Sequence, residues 1–530
     1  MTEKYRDFLS WVIYQIYPRS FQDTNGDGIG DLNGVRARLD YLKDLGVNAI
    51  WLCPCYKSPN DDNGYDVADY RDIMDEFGNM DDMKALISES HARGIHVIMD
   101  LVPNHTSSAH KWFRASKQSR DNPYSDYYYW FDEPPTDWNA SFGGKAWEYC
   151  PERKQYYLHS YCVSQPDLNW DNPKVRDEMK AVVDFWASLG VDGFRIDVID
   201  QISKDIPNGR NCFGPHLHEY IHELFGRDEA AHLFTVGECW ASTGEEYKKH
   251  CDASRNELST LFQFDHLECG RSEKFVQTAP SLAAVRDVLV KWQTFNQQND
   301  LLQMLFTDNH DNAPFLSRVG NDKELRYESA TCIAAMFYTL KGVALLYQGQ
   351  EFGTVSPRYD DISDFRDVEA INAYNGFLPL GKEEALKRIN FGSRDNSRRP
   401  IAWDGSEYGG FSTVAPWTPV HSEKDCVNLD ADIHSEKSIH AFYKRLLALR
   451  RATPELLYGD FTVLSKPTDP FFRFTRSYEG KTVEVFCNFE TASDPGVSFA
   501  EQDLLLSNCK DRKDASAPFR PYEIAIYRVK

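Results

Sequence analysis

The stretch PKVRDEMKAVVDFWASLGVDGFRIDVID, residues 173–200, carries the fold decision. Its first part places apolar residues at helical spacing and stops at Gly190, where a left-handed cap suits glycine. A continuous apolar run follows at 191–196 (VDGFRI), and charged residues stand at its end, Arg195 and Asp197. A helix leading into a fully apolar strand is the repeating unit of a buried parallel sheet. Working outward, the same kind of run recurs at 11–17 (WVIYQIY), 47–52 (VNAIWL), 96–102 (HVIMDLV), 233–236 (LFTV), 261–264 (LFQF), 302–306 (LQMLF) and 343–347 (VALLY). Helical segments separate most of them, such as 80–93 (MDDMKALISESHAR), which ends at Gly94. Eight such strands predict an α/β fold, a (β/α)₈ TIM barrel. The third and fourth runs lie about 95 residues apart, against roughly 30–50 elsewhere, so an inserted subdomain is expected at 105–170. Past Pro454 the pattern turns to short alternating segments, ending in 521–529 (PYEIAIYRV). The expected domains are therefore a barrel over 1–104 and 171–454, the insertion over 105–170, and a C-terminal antiparallel β domain over 455–530.

Composition bounds the function. The 530 residues are 42% hydrophobic and 26% charged, which excludes a disordered or fibrous chain. Lys and Arg number 59 against 81 Asp and Glu, a net charge of −22. Such a chain repels phosphate backbones and anionic lipid, so neither nucleic acid nor membrane is expected as a partner. No apolar segment of export-signal character opens the chain, and the apolar stretch at 331–347 is broken by Lys341. Twelve cysteines are scattered with no CxxC pair, which fits reduced thiols and a cytoplasmic location. Aromatics make up 14% of the chain, and a rich core accounts for them more simply than a sugar-stacking surface.

In a barrel, chemistry sits at the C-terminal ends of the strands. There the third run reaches Asp100, Asn104 and His105; the fourth, Arg195 and Asp197; the fifth, Glu238; the seventh, Asp308, His310 and Asp311. Carboxylates with Arg and His, lacking a Cys/His metal cluster, suit glycoside hydrolysis, which needs one carboxylate nucleophile and one carboxylic acid. Arg195 lies two residues before Asp197, on the same strand face, where its charge is expected to keep Asp197 ionised. Glu238 has to carry a proton when substrate arrives, and apolar Val236 and Trp240 flank it.

The segments GFRIDVID (193–200), VGECW (236–240), DNHDN (308–312), DLVPNH (100–105) and QPDLNW (165–170) together resemble the signature regions of the α-amylase superfamily of glycoside hydrolases. The likeness runs from 11–30 to the final RPYE. SRDNSRRPIAW (393–403) resembles the oligo-1,6-glucosidase, dextran glucosidase and α-glucosidase branch. The resemblance implies a retaining, exo-acting glycosidase for neutral α-glucoside oligosaccharides, with no organic cofactor. It makes Asp197 the nucleophile, Glu238 the acid/base and Asp311 the third carboxylate. It makes His105, Gln165, Arg195 and His310 contacts of the bound glucose, Tyr65 and Phe142 its stacking partners, and Asp66 with Arg398 the pair on its 4-hydroxyl. Val198, next to the nucleophile, implies α-1,6 preference. An α-1,4-glucosidase, a sucrose-cleaving enzyme or a trehalose-6-phosphate hydrolase are the alternatives on this scaffold. The chain departs from the pattern at DNHDNAP (308–314), Cys239, Tyr161 and YQGQE (347–351).

One further loop stands out. Asp23, Asn25, Asp27, Gly28 and Asp31 follow the first half of an EF-hand pattern, D-x-N-x-D-G, but the twelfth position is Gly34 instead of Glu. The resembling enzymes hold a structural Ca²⁺ here through Asp23, Asn25, Asp27, the Ile29 carbonyl and Asp31, and the same is expected of this chain.

Overall fold

Apolar content and length decide the strands. A computed structural model describes residues 3–240 and 243–529. All eight expected runs form one parallel sheet: β1 Val12–Ile16, β2 Ala49–Leu52, β3 His96–Leu101, β4 Gly193–Ile196, β5 Phe234–Gly237, β6 Thr260–Leu261, β7 Met304–Leu305 and β8 Val343–Tyr347. Their order is β6-β5-β4-β3-β2-β1-β8-β7, and nearly every strand residue is buried. Helix α1, Met80–Ala92, opens with a capping box from Asn79 and Asp82, and Gly94 follows it at φ 71. Helix α2, Pro173–Ser188, buries Val175, Met179, Val182, Val183 and Trp186 and is followed by Gly190 at φ 98.

The barrel closes without a backbone ladder between β6 and β7, which are only two residues long. Side chains bridge the seam. The Thr260 hydroxyl and the Tyr247 hydroxyl both donate to the Leu302 carbonyl, at 3.0 and 2.8 Å, and Phe262 packs edge-on against Phe306 at 5.1 Å. The sheet hydrogen bonds that the last turns of both strands forgo are thus partly replaced.

Between β3 and β4 the chain forms a three-stranded antiparallel sheet, Trp130–Phe131, Gln155–Leu158 and Trp147–Cys150. Aromatic rings pack this excursion, for example Phe113 stacked on Trp130 at 5.6 Å. Its two ends lie side by side, with Leu168 N–H donating to the Asn104 carbonyl and His105 paired with Asp167. The chain therefore leaves and returns at the mouth of the barrel.

After β8 two helices, α3 Val368–Phe377 and α4 Lys382–Gly392, form a hairpin that the apolar periodicity did not announce. The C-terminal segment is a five-stranded antiparallel sheet: β9 Asp460–Val463, β10 Phe471–Tyr478, β11 Lys481–Asn488, β12 Leu504–Ser507 and β13 Ile524–Val529, in the order β9-β10-β11-β13-β12. Buried Arg476 fastens it to the barrel by donating to the carbonyls of Thr339 and Gly459. Among the described residues no helix is long and apolar enough to cross a membrane.

Candidate active site

Register builds the centre of the site. β3 and β4 pair with Asp100 opposite Arg195, and Arg195 and Asp197 share one strand face. The Arg195 guanidinium therefore meets three carboxylates. Nη1 donates to Asp100 Oδ1 at 2.9 Å and to Asp197 Oδ1 at 2.6 Å, and Nη2 donates to Glu238 Oε2. Asp100 Oδ2 also accepts from Trp51 Nε1 at 3.0 Å. The backbone locks nucleophile and acid strands together, since Glu238 N–H donates to Ile196 O and Ile199 N–H to Glu238 O. Val198, between them, stands at φ 34, ψ 51, a left-handed conformation that a β-branched residue adopts only under constraint.

Arg195 acts on Asp197 in the expected direction, but against opposing effects. Burial pushes the Asp197 carboxyl up; Arg195 opposes this, while Glu238 and Asp100 add to it. Burial likewise raises Asp100 to about 6 against the pull of Arg195. Asp100 and Asp197, both buried on one guanidinium with Glu238 beside them, thus each disfavour the other's charge. The expected apolar enclosure of Glu238 is also absent: its carboxylate faces Arg195, and Trp240 is 53% exposed, stacked on Phe264.

Asp311 sits in the opposite environment. Burial disfavours its charge, but His310, Arg398 and Arg394 overcome this and hold the carboxyl well below the usual carboxylate range. Arg398 Nη2 lies 2.7 Å, His310 Nε2 3.2 Å and Arg394 Nη1 3.8 Å from it. Burial pushes His310 itself down to about 3, so at neutral pH the two guanidiniums carry the effect. His310 Nδ1 takes a hydrogen bond from Gln15 Nε2 at 2.8 Å, and its ring stacks on Tyr65 at 5.5 Å.

The remaining expected residues divide into two groups. His105, Gln165, Tyr65, Phe142 and Val198 gather around the same pocket of about 380 Å³. His105 is buried and pushed down to about 4, with Gln165 Nε2 at 3.3 Å; Phe142 lies over Arg394 at 4.7 Å. Asp66 and Arg398, expected as a pair on the 4-hydroxyl, do not meet. Asp66 caps its own turn, accepting from the amides of Asp61 and Asp62 at 3.0 Å each, while Arg398 is turned to the His310 carbonyl and Asp311. Asp62 and Arg394 face the pocket in their place, 3.6 Å apart, and Asp62 Oδ2 accepts from Gln165 Nε2. Asp62 stands four residues before Asp66, and Arg394 four before Arg398, within the same two motifs. Lys274 and Glu369 form an ion pair at the rim, brought by the 271–277 hairpin and by α3. Neither had a sequence signal.

The loop after β1 is organised by its acidic side chains. Asp23 accepts from the amides of Asn25, Gly26 and Gly28 and from Ser412 Oγ; Asn25 accepts from Asp27 N–H; Asp27 accepts from Ile29 N–H. Asp31 accepts from Gly34 N–H and from both Thr24 donors. The donor set is all oxygen, the chemistry a hard cation takes. Among the described residues no three Asp, Glu, His or Cys groups converge as a ready cage.

The model of the α-amylase catalytic domain matches residues 15–459. The chain is 40% identical to an oligo-1,6-glucosidase of Parageobacillus thermoglucosidasius and 38% identical to a trehalose-6-phosphate hydrolase of Bacillus subtilis (strain 168), covering 98% of this chain in each case and 98% and 97% of the relatives. Among solved structures it is similar to a trehalulose synthase, with a TM-score of 0.92 at 36% identity over 99% of each chain. With the barrel, the carboxylates at its strand ends and this likeness over the whole length, the chain belongs to the α-amylase family of glycoside hydrolases.

Proposed function

We propose that this enzyme is a retaining, exo-acting α-glucosidase that releases glucose from the non-reducing ends of α-1,6-linked isomalto-oligosaccharides such as isomaltose and panose. The observation that carries the reading is the single guanidinium of Arg195 binding the carboxylates of Asp197 and Glu238 at one pocket. Asp197 attacks the anomeric carbon while Glu238 gives its proton to the departing glycosidic oxygen. The carbon–oxygen bond to the leaving sugar breaks as the ester to Asp197 forms. Water then attacks the same carbon, passes a proton to Glu238, and Asp197 leaves. Asp311, held ionised by Arg398 and Arg394, stabilises the positive charge that builds on the ring. Asp62, Arg394 and Phe142 support an exo action, because they offer a charged pair and a ring to a terminal sugar. Val198 lining the pocket, together with 40% identity to oligo-1,6-glucosidases, supports the α-1,6 preference.

Lys274 favours a second reading, hydrolysis of trehalose 6-phosphate, because a phosphate on the leaving sugar would need a cation at the rim. Glu369 already pairs with that lysine, which weighs against it. Steady-state kinetics on isomaltose, panose, maltose, sucrose and trehalose 6-phosphate test the proposal. Isomaltose and panose should have the highest kcat/KM; a higher value for trehalose 6-phosphate or maltose overturns the linkage assignment. A structural Ca²⁺ in the loop of Asp23, Asn25, Asp27, Ile29 and Asp31 is likewise our proposal, supported by the alternation of oxygen donors, as is a cytosolic location.

A further inference from the structure

Most buried arginines among the described residues donate to several oxygens. Arg195 holds three carboxylates, Arg450 donates to the carbonyls of Tyr338, Leu340 and Gly342, and Arg476 donates to those of Thr339 and Gly459. Arg399 is 7% exposed, yet among the described residues no oxygen accepts from its guanidinium, and its Nε is buried without a partner. The ring of Tyr359 lies 5.4 Å from the guanidinium. Arg399 lines a cavity on the far side of β7 and β8, distinct from the catalytic pocket, with free space of about 50 Å³. A single water needs about 10–15 Å³ by that measure, so a few waters or one small ion with part of its hydration fit.

Among the described residues no carboxylate oxygen accepts a hydrogen bond from the guanidinium, although Asp395 acts on it electrostatically. Asp395 spends its oxygens on the amides of Arg366 and Asp367 and on Ser393. Asp308, also on the cavity wall, accepts from Phe315 N–H and the Thr307 hydroxyl. His421 uses both ring nitrogens, Nε2 on the Val355 carbonyl at 2.7 Å and Nδ1 accepting from Glu423 N–H at 2.8 Å. Leu316, Ile333 and Val427 supply apolar wall. A guanidinium cannot shed its proton in such a place, and an isolated buried charge is costly unless it is paired.

We propose that this cavity is an anion site, in which a small monovalent inorganic anion of halide size pairs with Arg399. Arg399 directly follows Arg398, which holds Asp311, so the bound ion would also steady the turn from which both Arg394 and Arg398 reach the catalytic pocket. The test uses the full chain in sodium gluconate at constant ionic strength, titrated with chloride. Tm should rise saturably, by roughly 2 °C at a hundredfold excess over Kd. The rise should vanish in Arg399→Met and persist with weaker affinity in Arg399→Lys. Crystals of the wild-type protein soaked in bromide should show an anomalous peak beside the Arg399 guanidinium, and this measurement decides the matter if Arg399→Met does not fold. Water alone in the cavity of bromide-soaked crystals, or an equal chloride response in folded Arg399→Met, overturns the proposal.

Discussion

At the scale of single residues, the arrangement around Arg195 makes activity and stability pull in opposite directions. Asp197→Asn should lower kcat by more than about 10³-fold, because an amide cannot form the glucosyl ester. The same change removes a buried carboxylate whose charge is disfavoured by burial and by Glu238 and Asp100, so the variant should melt higher than wild type. Scanning calorimetry alongside kinetics checks both; full activity after deamidation is excluded would remove Asp197 from the nucleophile role. Val198 offers a narrower experiment. Thr is also β-branched and nearly the same shape, so Val198→Thr keeps the left-handed backbone constraint and adds only a hydroxyl beside the leaving sugar. It should raise the maltose-to-isomaltose ratio of kcat/KM, by at most roughly 10–200-fold. An unchanged ratio in the folded variant would place selectivity elsewhere, with Lys274 and Glu369 the next residues to change.

Among the elements, the seam and the loop after β1 carry separate predictions. Because β6 and β7 share no ladder, Thr260→Val should cost about 1 kcal/mol, the Tyr247 hydroxyl still serving the Leu302 carbonyl. Adding Tyr247→Phe strips that carbonyl of both hydroxyl donors and should cost about 1–3 kcal/mol more. Urea melts that give simple additivity of two small losses would contradict this account of closure. For the acidic loop, Ca²⁺ should raise Tm in a concentration-dependent way while leaving kcat unchanged, since none of its residues lines the catalytic pocket. Identical melting curves after chelation and after Ca²⁺ addition would refute the metal site.

Over the whole molecule, two sets of buried groups oppose each other in acid. Burial raises Asp62 and Asp100 to about 6 and Asp200 and Glu351 to about 7. Between about pH 4 and 7 the folded chain binds more protons at these sites than the unfolded one, so they make stability fall as pH rises. Burial lowers His105 and His250 to about 4 and His110, His266, His310 and His421 to about 3. Below about pH 6.5 the unfolded chain takes up those protons first, so the histidines make stability fall as pH drops. The two trends offset each other near pH 5–6.5. Below about pH 4 the carboxyl set no longer contributes a slope, the histidines continue, and Asp367, which Arg394 holds at about 2 against its burial, joins them. Tm should therefore be nearly level from pH 5 to 7 and fall steeply below 4, as calorimetry at fixed ionic strength would record. A Tm still rising at pH 3.5 would mean that these histidines are not neutral in the folded state.

The amino-acid sequence by itself determined the barrel and the order of its chemistry. Strands buried on both faces must be continuous apolar runs, so all eight were visible, and the residues ending them, from Asp100 to Asp311, had to lie at one mouth. It did not determine which of two nearby charges faces that mouth. The motif at 63–66 offers Asp66 as the sugar contact, but the turn at 61–66 uses the Asp66 carboxylate for its own amides. Arg394 and Arg398 were separable only once the turn after α4 aimed one at Asp62 and Asp367 and the other at His310. Lys274 and Glu369 meet from a hairpin and a helix 95 residues apart, and Arg399 is left without a hydrogen-bond acceptor among the described residues because Asp395 bonds elsewhere. Local pattern encodes which segments are buried; the direction of a side chain, and the partner left for it, depends on loops whose course is set by contacts distant in sequence.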